Sequence, residues 1–84
     1  GLGDIQGNEG VYGLQRAFKI AGVKYLIMSL WQVPDLETSV FMTSFYNNWL
    51  TMKMSISDAF RTTQLEMRER FINAYHWAGF VLVE

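Results

Sequence analysis

Cysteine is absent from this 84-residue chain, which excludes disulfide bridges, thiolate metal sites and a thiol nucleophile supplied from within these residues. Histidine occurs once, at His76, with no Cys, Asp or second His at ligand spacing. A metal site is therefore unsupported, no cofactor is expected, and His76 reads as structural or exposed. Charge of one sign is also missing: seven basic against eight acidic residues leave a formal charge of −1. Without a Lys/Arg block to neutralise a run of phosphates, nucleic acid is not an expected partner. Long apolar runs are lacking too. The longest, Tyr25 to Trp31, is interrupted by Ser29 and falls far short of the roughly 20 residues of a membrane helix. No basic leader precedes an apolar segment, so no membrane partner is expected and the expected location is cytoplasmic.

What remains is core-forming material, with 50% of residues apolar and 15% aromatic. The chain opens inside a glycine-rich stretch, Gly1 to Gly10, and closes on the apolar run Trp77 to Val83 with only Glu84 behind it. A chain this short buries only around 60% of the surface it exposes when unfolded. The expectation is a piece of a larger domain, whose remainder covers the apolar area left wet.

Asn8 can cap a helix over residues 9–21, whose apolar positions Val11, Leu14, Phe18 and Ala21 recur at three- and four-residue steps, with Gly22 as its stop. Residues 23–31 run nearly continuously apolar up to Pro34, the pattern of a strand buried on both faces, as in a parallel sheet. Asp35 is placed to cap a second helix with the stripe Val40, Phe41, Phe45, Trp49 and Leu50. After a break around Thr51 to Met54, Ser55 and Asp58 form a capping pattern for a third helix that turns Ile56, Phe60, Met67 and Phe71 inward. Glu66 and Arg70, one turn apart, read as a weak exposed pair. Residues 77–83 read as a second buried strand.

The order loop, helix, strand, helix, helix, strand is a slice of an α/β sheet. A strand ending just before Gly1 would make a right-handed crossover with helix 9–21 and strand 23–31. The glycine-rich stretch and Gln32 to Asp35 would then meet at one carboxyl edge, where ligands collect in such sheets. Gly1, Gly3 and Gly7 do not make a phosphate loop: the spacing misses both nucleotide fingerprints, and Asp4 and Glu9 oppose an anion. The stretch better suits a nucleophile placed just ahead of Gly1, where free helix N–H groups lower a thiol pKa and hold an oxyanion.

One resemblance spans the chain. It runs through Gly1-Leu2-Gly3-Asp4-Ile5, Gly7-Asn8-Glu9-Gly10-Val11, Gly13-Leu14, Arg16-Ala17-Phe18, Ala21-Gly22-Val23-Lys24 and Ser29-Leu30-Trp31 with Val33 and Asp35. It continues through Phe45-Tyr46, Asn48-Trp49-Leu50, Asp58-Ala59-Phe60-Arg61 and Trp77-Ala78-Gly79-Phe80-Val81-Leu82. In this order the segments resemble the CHAT family, caspase-like domains associated with TPR repeats and similar to caspases and separase.

The resemblance implies an α/β fold in which residues 1–84 are the C-terminal part of a caspase-like sheet sandwiched by helices, within a bacterial-type cysteine peptidase (a hydrolase). Gly1 resembles the last glycine of the family's Ser-Ala-Cys-x-Thr-Gly motif. The catalytic Cys is then expected three residues before Gly1 and its His further upstream, so the chain itself holds no catalytic residue. In that chemistry His takes the thiol proton, Cys attacks the carbonyl, and backbone donors hold the oxyanion.

The expected contribution of this chain is substrate recognition. By resemblance, Trp31 walls the substrate cleft, Asp35 pairs with a basic P1 residue through its carboxylate, and Glu9 orients the cleft. Each has a plainer reading: Trp31 as core, Asp35 as a helix cap, Glu9 as a favourable charge at a helix start. The implied partners are a polypeptide substrate, the N-terminal remainder of the CHAT domain, and TPR or other repeats in the same parent chain. A CHAT-like interaction or signalling module that has lost its dyad is the alternative.

Overall fold

The computed structural model describes residues 22–84. Strand β1 (Leu26–Ser29) leads to helix α1 (Asp35–Tyr46), which continues as a widened π turn over Asn47–Thr51. Helix α2 (Ile56–Arg70), a 3-10 turn (Ala74–His76) and strand β2 (Phe80–Val83) follow. This is a mixed α/β organisation, consistent with part of a caspase-like fold. The helix expected over residues 9–21, the glycine-rich stretch, Glu9 and the crossover that would bring that stretch beside Gln32 lie outside the described residues. Gly22, expected to stop that helix, has φ +91°, a left-handed conformation that glycine adopts at no steric cost. No helix among the described residues is long and apolar enough to cross a membrane.

Both strands are shorter than the apolar runs that contain them, and they pair antiparallel, with Ile27 opposite Leu82 and Ser29 opposite Phe80. This corrects the expectation of parallel strands. Nor are they buried on both faces: of the eight strand residues only Phe80 is fully buried. Continuous apolarity signals burial but carries no information on direction, and two paired strands leave much of their surface half-covered.

Helix α1 starts one residue earlier than expected. Pro34, with φ −55° and ψ 149°, occupies the cap position, and no side chain caps the helix. Asp35 is therefore its first helical residue rather than its cap. Thr38 N–H donates to the Pro34 carbonyl at 3.0 Å, closing the first turn, and Asp35 and Glu37 place negative charge at the positive end of the helix dipole. The buried stripe is Glu37, Phe41, Phe45 and Asn48, so polar side chains stand at both ends of an apolar centre.

Of the break expected around Thr51 to Met54, only Thr51 is helical, closing a widened turn in which Met52 N–H reaches the Asn47 carbonyl at 2.9 Å, five residues back; the chain is non-helical from Met52 to Ser55. The extra residue in this turn shifts the stripe, leaving Leu50 exposed and Asn48 buried. The chain then turns through Lys53 at φ 63°. Ser55 caps α2 as its spacing predicts, its Oγ accepting the Asp58 N–H at 3.1 Å.

Ala59, Phe60, Thr63 and Met67 face inward from α2 at helical spacing. Ile56 and Phe71 pack at the margin of the core. Phe41 joins the layers: its ring stacks on Phe80 of β2 at 4.3 Å and meets Phe60 of α2 edge-on at 5.6 Å. Glu66 does not follow the local pairing rule. Its Oε1 accepts from Asn48 Nδ2 at 2.6 Å, and the same amide donates to Thr63 Oγ1 at 3.1 Å, while Arg70 lies over the Phe71 ring.

Candidate functional site

Antiparallel pairing fixes which loops meet. The carboxyl end of β1 lies beside the start of β2, so the segment leaving β1 runs against the segment entering β2. Leu30 N–H donates to the Gly79 carbonyl at 2.7 Å and extends the ladder by one bond. A parallel pairing would have put the start of β2 beside Leu26 instead, roughly 10 Å away at the rise of a strand.

The two segments clasp each other through aromatic side chains. Trp31 stacks on Tyr75 with ring centres 5.8 Å apart and an interplanar angle of 18°. Its Nε1–H donates to the Tyr75 carbonyl at 2.9 Å, and the Tyr75 hydroxyl donates back to the Gln32 carbonyl at 2.7 Å. The Cε2, Cζ2 and Nε1 edge of the indole closes over Gly79, where a Cβ would stand 2.8 Å from Trp31 Cε2. Only glycine lets the ring approach so closely. Trp31 nonetheless stays 37% exposed and Tyr75 47% exposed, so the stack is a surface feature.

Local geometry aims Tyr75 at this position. Asn73 Oδ1 accepts the Tyr75 N–H at 2.9 Å, an Asx turn that starts the short 3-10 segment. Next to it, His76 packs against Phe71 and meets the Tyr75 ring edge-on at 5.8 Å. His76 Nδ1 lies 3.6 Å from Glu37 Oε2 on α1, within ion-pair range but too long for a hydrogen bond. Glu37 is buried.

Asp35 is exposed at the first position of α1, and no hydrogen bond or ion pair engages its carboxylate among the described residues. The arrangement offers an aromatic wall, Trp31 with Tyr75, at the end of β1, and an uncommitted carboxylate at the start of the helix that follows. Such a set can recognise a side chain; it does not contain a nucleophile with an adjacent base. No group of three His, Cys, Asp or Glu side chains suited to a metal ion occurs among the described residues.

An apolar groove of about 290 Å³ lies elsewhere, lined by residues that include Tyr25, Ile27, Phe45, Tyr46, Trp49 and Leu82. Its described lining carries no charged side chain and includes neither Trp31 nor Asp35. Binding sites combine apolar walls with a few placed polar groups, and the end of β1 fits that description better.

Trp31 thus stands on the connection between β1 and α1 and Asp35 at the first position of α1, while Glu9 lies outside the described residues. Trp31 is partly exposed rather than core, and Asp35 is the first helical residue rather than the cap. Tyr75 was missed. Its partner is 44 residues away, and a tyrosine in the short irregular segment between α2 and β2 carries no periodicity that would mark it.

A model of the CHAT domain family matches residues 1–84. Tetratricopeptide repeat protein 28 of Homo sapiens is 33% identical over 78 residues, covering 89% of this chain and 3% of that protein. The Mus musculus protein of the same name is 32% identical over 78 residues, with the same coverage. The chain therefore spans a few per cent of the length of these relatives, which are mammalian rather than bacterial. No solved structure matches it.

Proposed function

The chain belongs to the CHAT domain family, and from that premise we propose that it forms the substrate-recognition part of a cysteine peptidase domain. The observation that carries this reading is the exposed Trp31, held at the carboxyl end of β1 with the free carboxylate of Asp35 four residues on. An aromatic ring and a carboxylate four residues apart in the chain suit a basic side chain, through cation–π contact with the ring and a charged hydrogen bond to Asp35. The Cys and His of the reaction come from residues before Gly1. Glu9 orients the cleft from the start of the helix expected there. The intact protein also carries TPR or similar repeats, a reading supported by the repeat in the name of both relatives. It acts in the cytoplasm, where a cysteine-free segment loses nothing by lacking disulfides.

The test uses the full-length protein and peptide pools with Arg, Lys or Asp fixed at one position. Cleavage after the basic residues, abolished when the nucleophilic Cys is changed to Ala, is the expected result. Asp35→Asn should lower kcat/KM on those peptides by roughly 10- to 100-fold, the value of a hydrogen bond to a charged group. Absence of cleavage in every pool removes the peptidase reading. Retained peptide binding in that case favours the second reading, an interaction or signalling module built on the same surface.

A further inference from the structure

We propose that Tyr75 is a positioning residue of this cleft: its ring and backbone hold the Trp31 indole in the one orientation in which it can serve as a wall. The proposal rests on the reading that Trp31 contacts the substrate. It concerns a residue 44 positions further along the chain, on an element to which sequence patterning assigned no role.

The argument starts from what an indole at the end of a strand does by itself. Beyond Ser29 the ladder contributes only the Leu30 bond, and the backbone of residues 30–33 has no regular structure to restrict it. An exposed Trp there samples several rotamers, and a wall that moves recognises poorly. Tyr75 removes that freedom in three ways. Its ring covers one face of the indole, its carbonyl accepts the indole N–H, and its hydroxyl ties down the Gln32 carbonyl next to Trp31. Gly79 completes the seat, because any larger residue would push against Cε2 and Nε1.

The seat is itself anchored. The Asn73 side chain fixes the Tyr75 N–H, and His76 beside Tyr75 reaches Glu37 of α1. With its N–H committed to Tyr75, Trp31 presents only its ring, which selects for the shape and charge of a side chain rather than for a hydrogen-bond acceptor.

The experiment compares Tyr75→Ala, Tyr75→Phe and Trp31→Ala in the full-length protein. Hydroxyl-radical footprinting resolved at Trp31 reports how firmly the indole is held and needs no catalytic activity. Binding of fluorescent peptide pools with Arg, Lys or Asp fixed at one position reports recognition, and KM and kcat are measured wherever a pool is cleaved. Tyr75→Ala is expected to speed Trp31 oxidation about threefold and raise Kd or KM about tenfold with kcat nearly unchanged, the loss of one stack and one hydrogen bond. Tyr75→Phe keeps the ring and the carbonyl, and is expected to recover most of the wild-type affinity.

Unchanged Trp31 oxidation in Tyr75→Ala overturns the proposal. So does a freed Trp31 with wild-type recognition, provided Trp31→Ala weakens recognition; the cleft reading then stands without Tyr75. Should Tyr75→Ala fail to fold, Tyr75→Leu, which also removes the aromatic ring and the hydroxyl, takes its place, and unchanged Trp31 oxidation in that variant overturns the proposal equally. Recognition unaltered by Trp31→Ala, or no binding of any pool by the wild type, removes the cleft reading and this proposal with it.

Discussion

Substituting Gly79 by alanine tests the aromatic seat with a single carbon. The new Cβ would stand 2.8 Å from Trp31 Cε2 and 3.1 Å from Cζ2 and Nε1, where carbon atoms prefer about 3.5–4.0 Å. The indole must therefore retreat, and it is held by the bond to the Tyr75 carbonyl at 2.9 Å and the stack at 5.8 Å. Weakening both costs about 1–3 kcal/mol. Against this, alanine restricts the unfolded chain and returns about 0.4–1 kcal/mol. The net expectation is a local destabilisation of about 1 kcal/mol, which corresponds to an approximately fivefold faster opening of the clasp.

Amide exchange measured by mass spectrometry on peptides covering residues 26–35 and 73–84 of the full-length protein reads this directly, since the Leu30 amide is bonded to the Gly79 carbonyl. The decisive control is Trp31→Ala. With the indole gone nothing opposes the new methyl group, so Gly79→Ala should become neutral or slightly protective in that background. An acceleration that persists without Trp31, or no acceleration in its presence, would refute the account of the seat.

Two further outcomes follow from buried or capping polar groups. Asn48→Ala removes donors to Thr63 and to the Glu66 carboxylate and should cost about 1.5–3 kcal/mol, with Asn48→Asp worse despite its matching shape, because a second carboxylate then faces Glu66. Thermal melting and exchange across residues 44–51 check the order; an Asp variant as stable as wild type would contradict it. Ser55→Ala deletes the cap of α2 and should cost about 1 kcal/mol, seen as lost protection of the first turn of that helix and restored by Ser55→Asp. Equal protection in all three forms would mean that tertiary packing alone sets the start of the helix.

The features legible in the sequence were those with a local cause. Ser55 and Asp58 stand three residues apart, and that spacing alone brings a hydroxyl to an N–H. Phe41, Phe45, Phe60 and Met67 fall on the inward faces that a 3.6-residue period assigns them. Where a distant partner competed with a local rule, the distant partner won: Glu66 was claimed by Asn48, itself buried by a widened turn that no pattern announced. Pro34 moved the helix start by one residue, which freed the Asp35 carboxylate from capping and left it available to a ligand.

The family was legible as a resemblance carried by the order of the motifs, the strand–helix–helix–strand order of the described residues by near-neighbour spacing, and the absence of thiol chemistry from these residues by composition. The tertiary structure alone decided that the strands run antiparallel, since the apolarity of two runs carries no information on their relative direction. That choice brought Tyr75 and Gly79 to Trp31 across more than 40 residues of chain, and so turned an unremarkable tyrosine into the support of the candidate site.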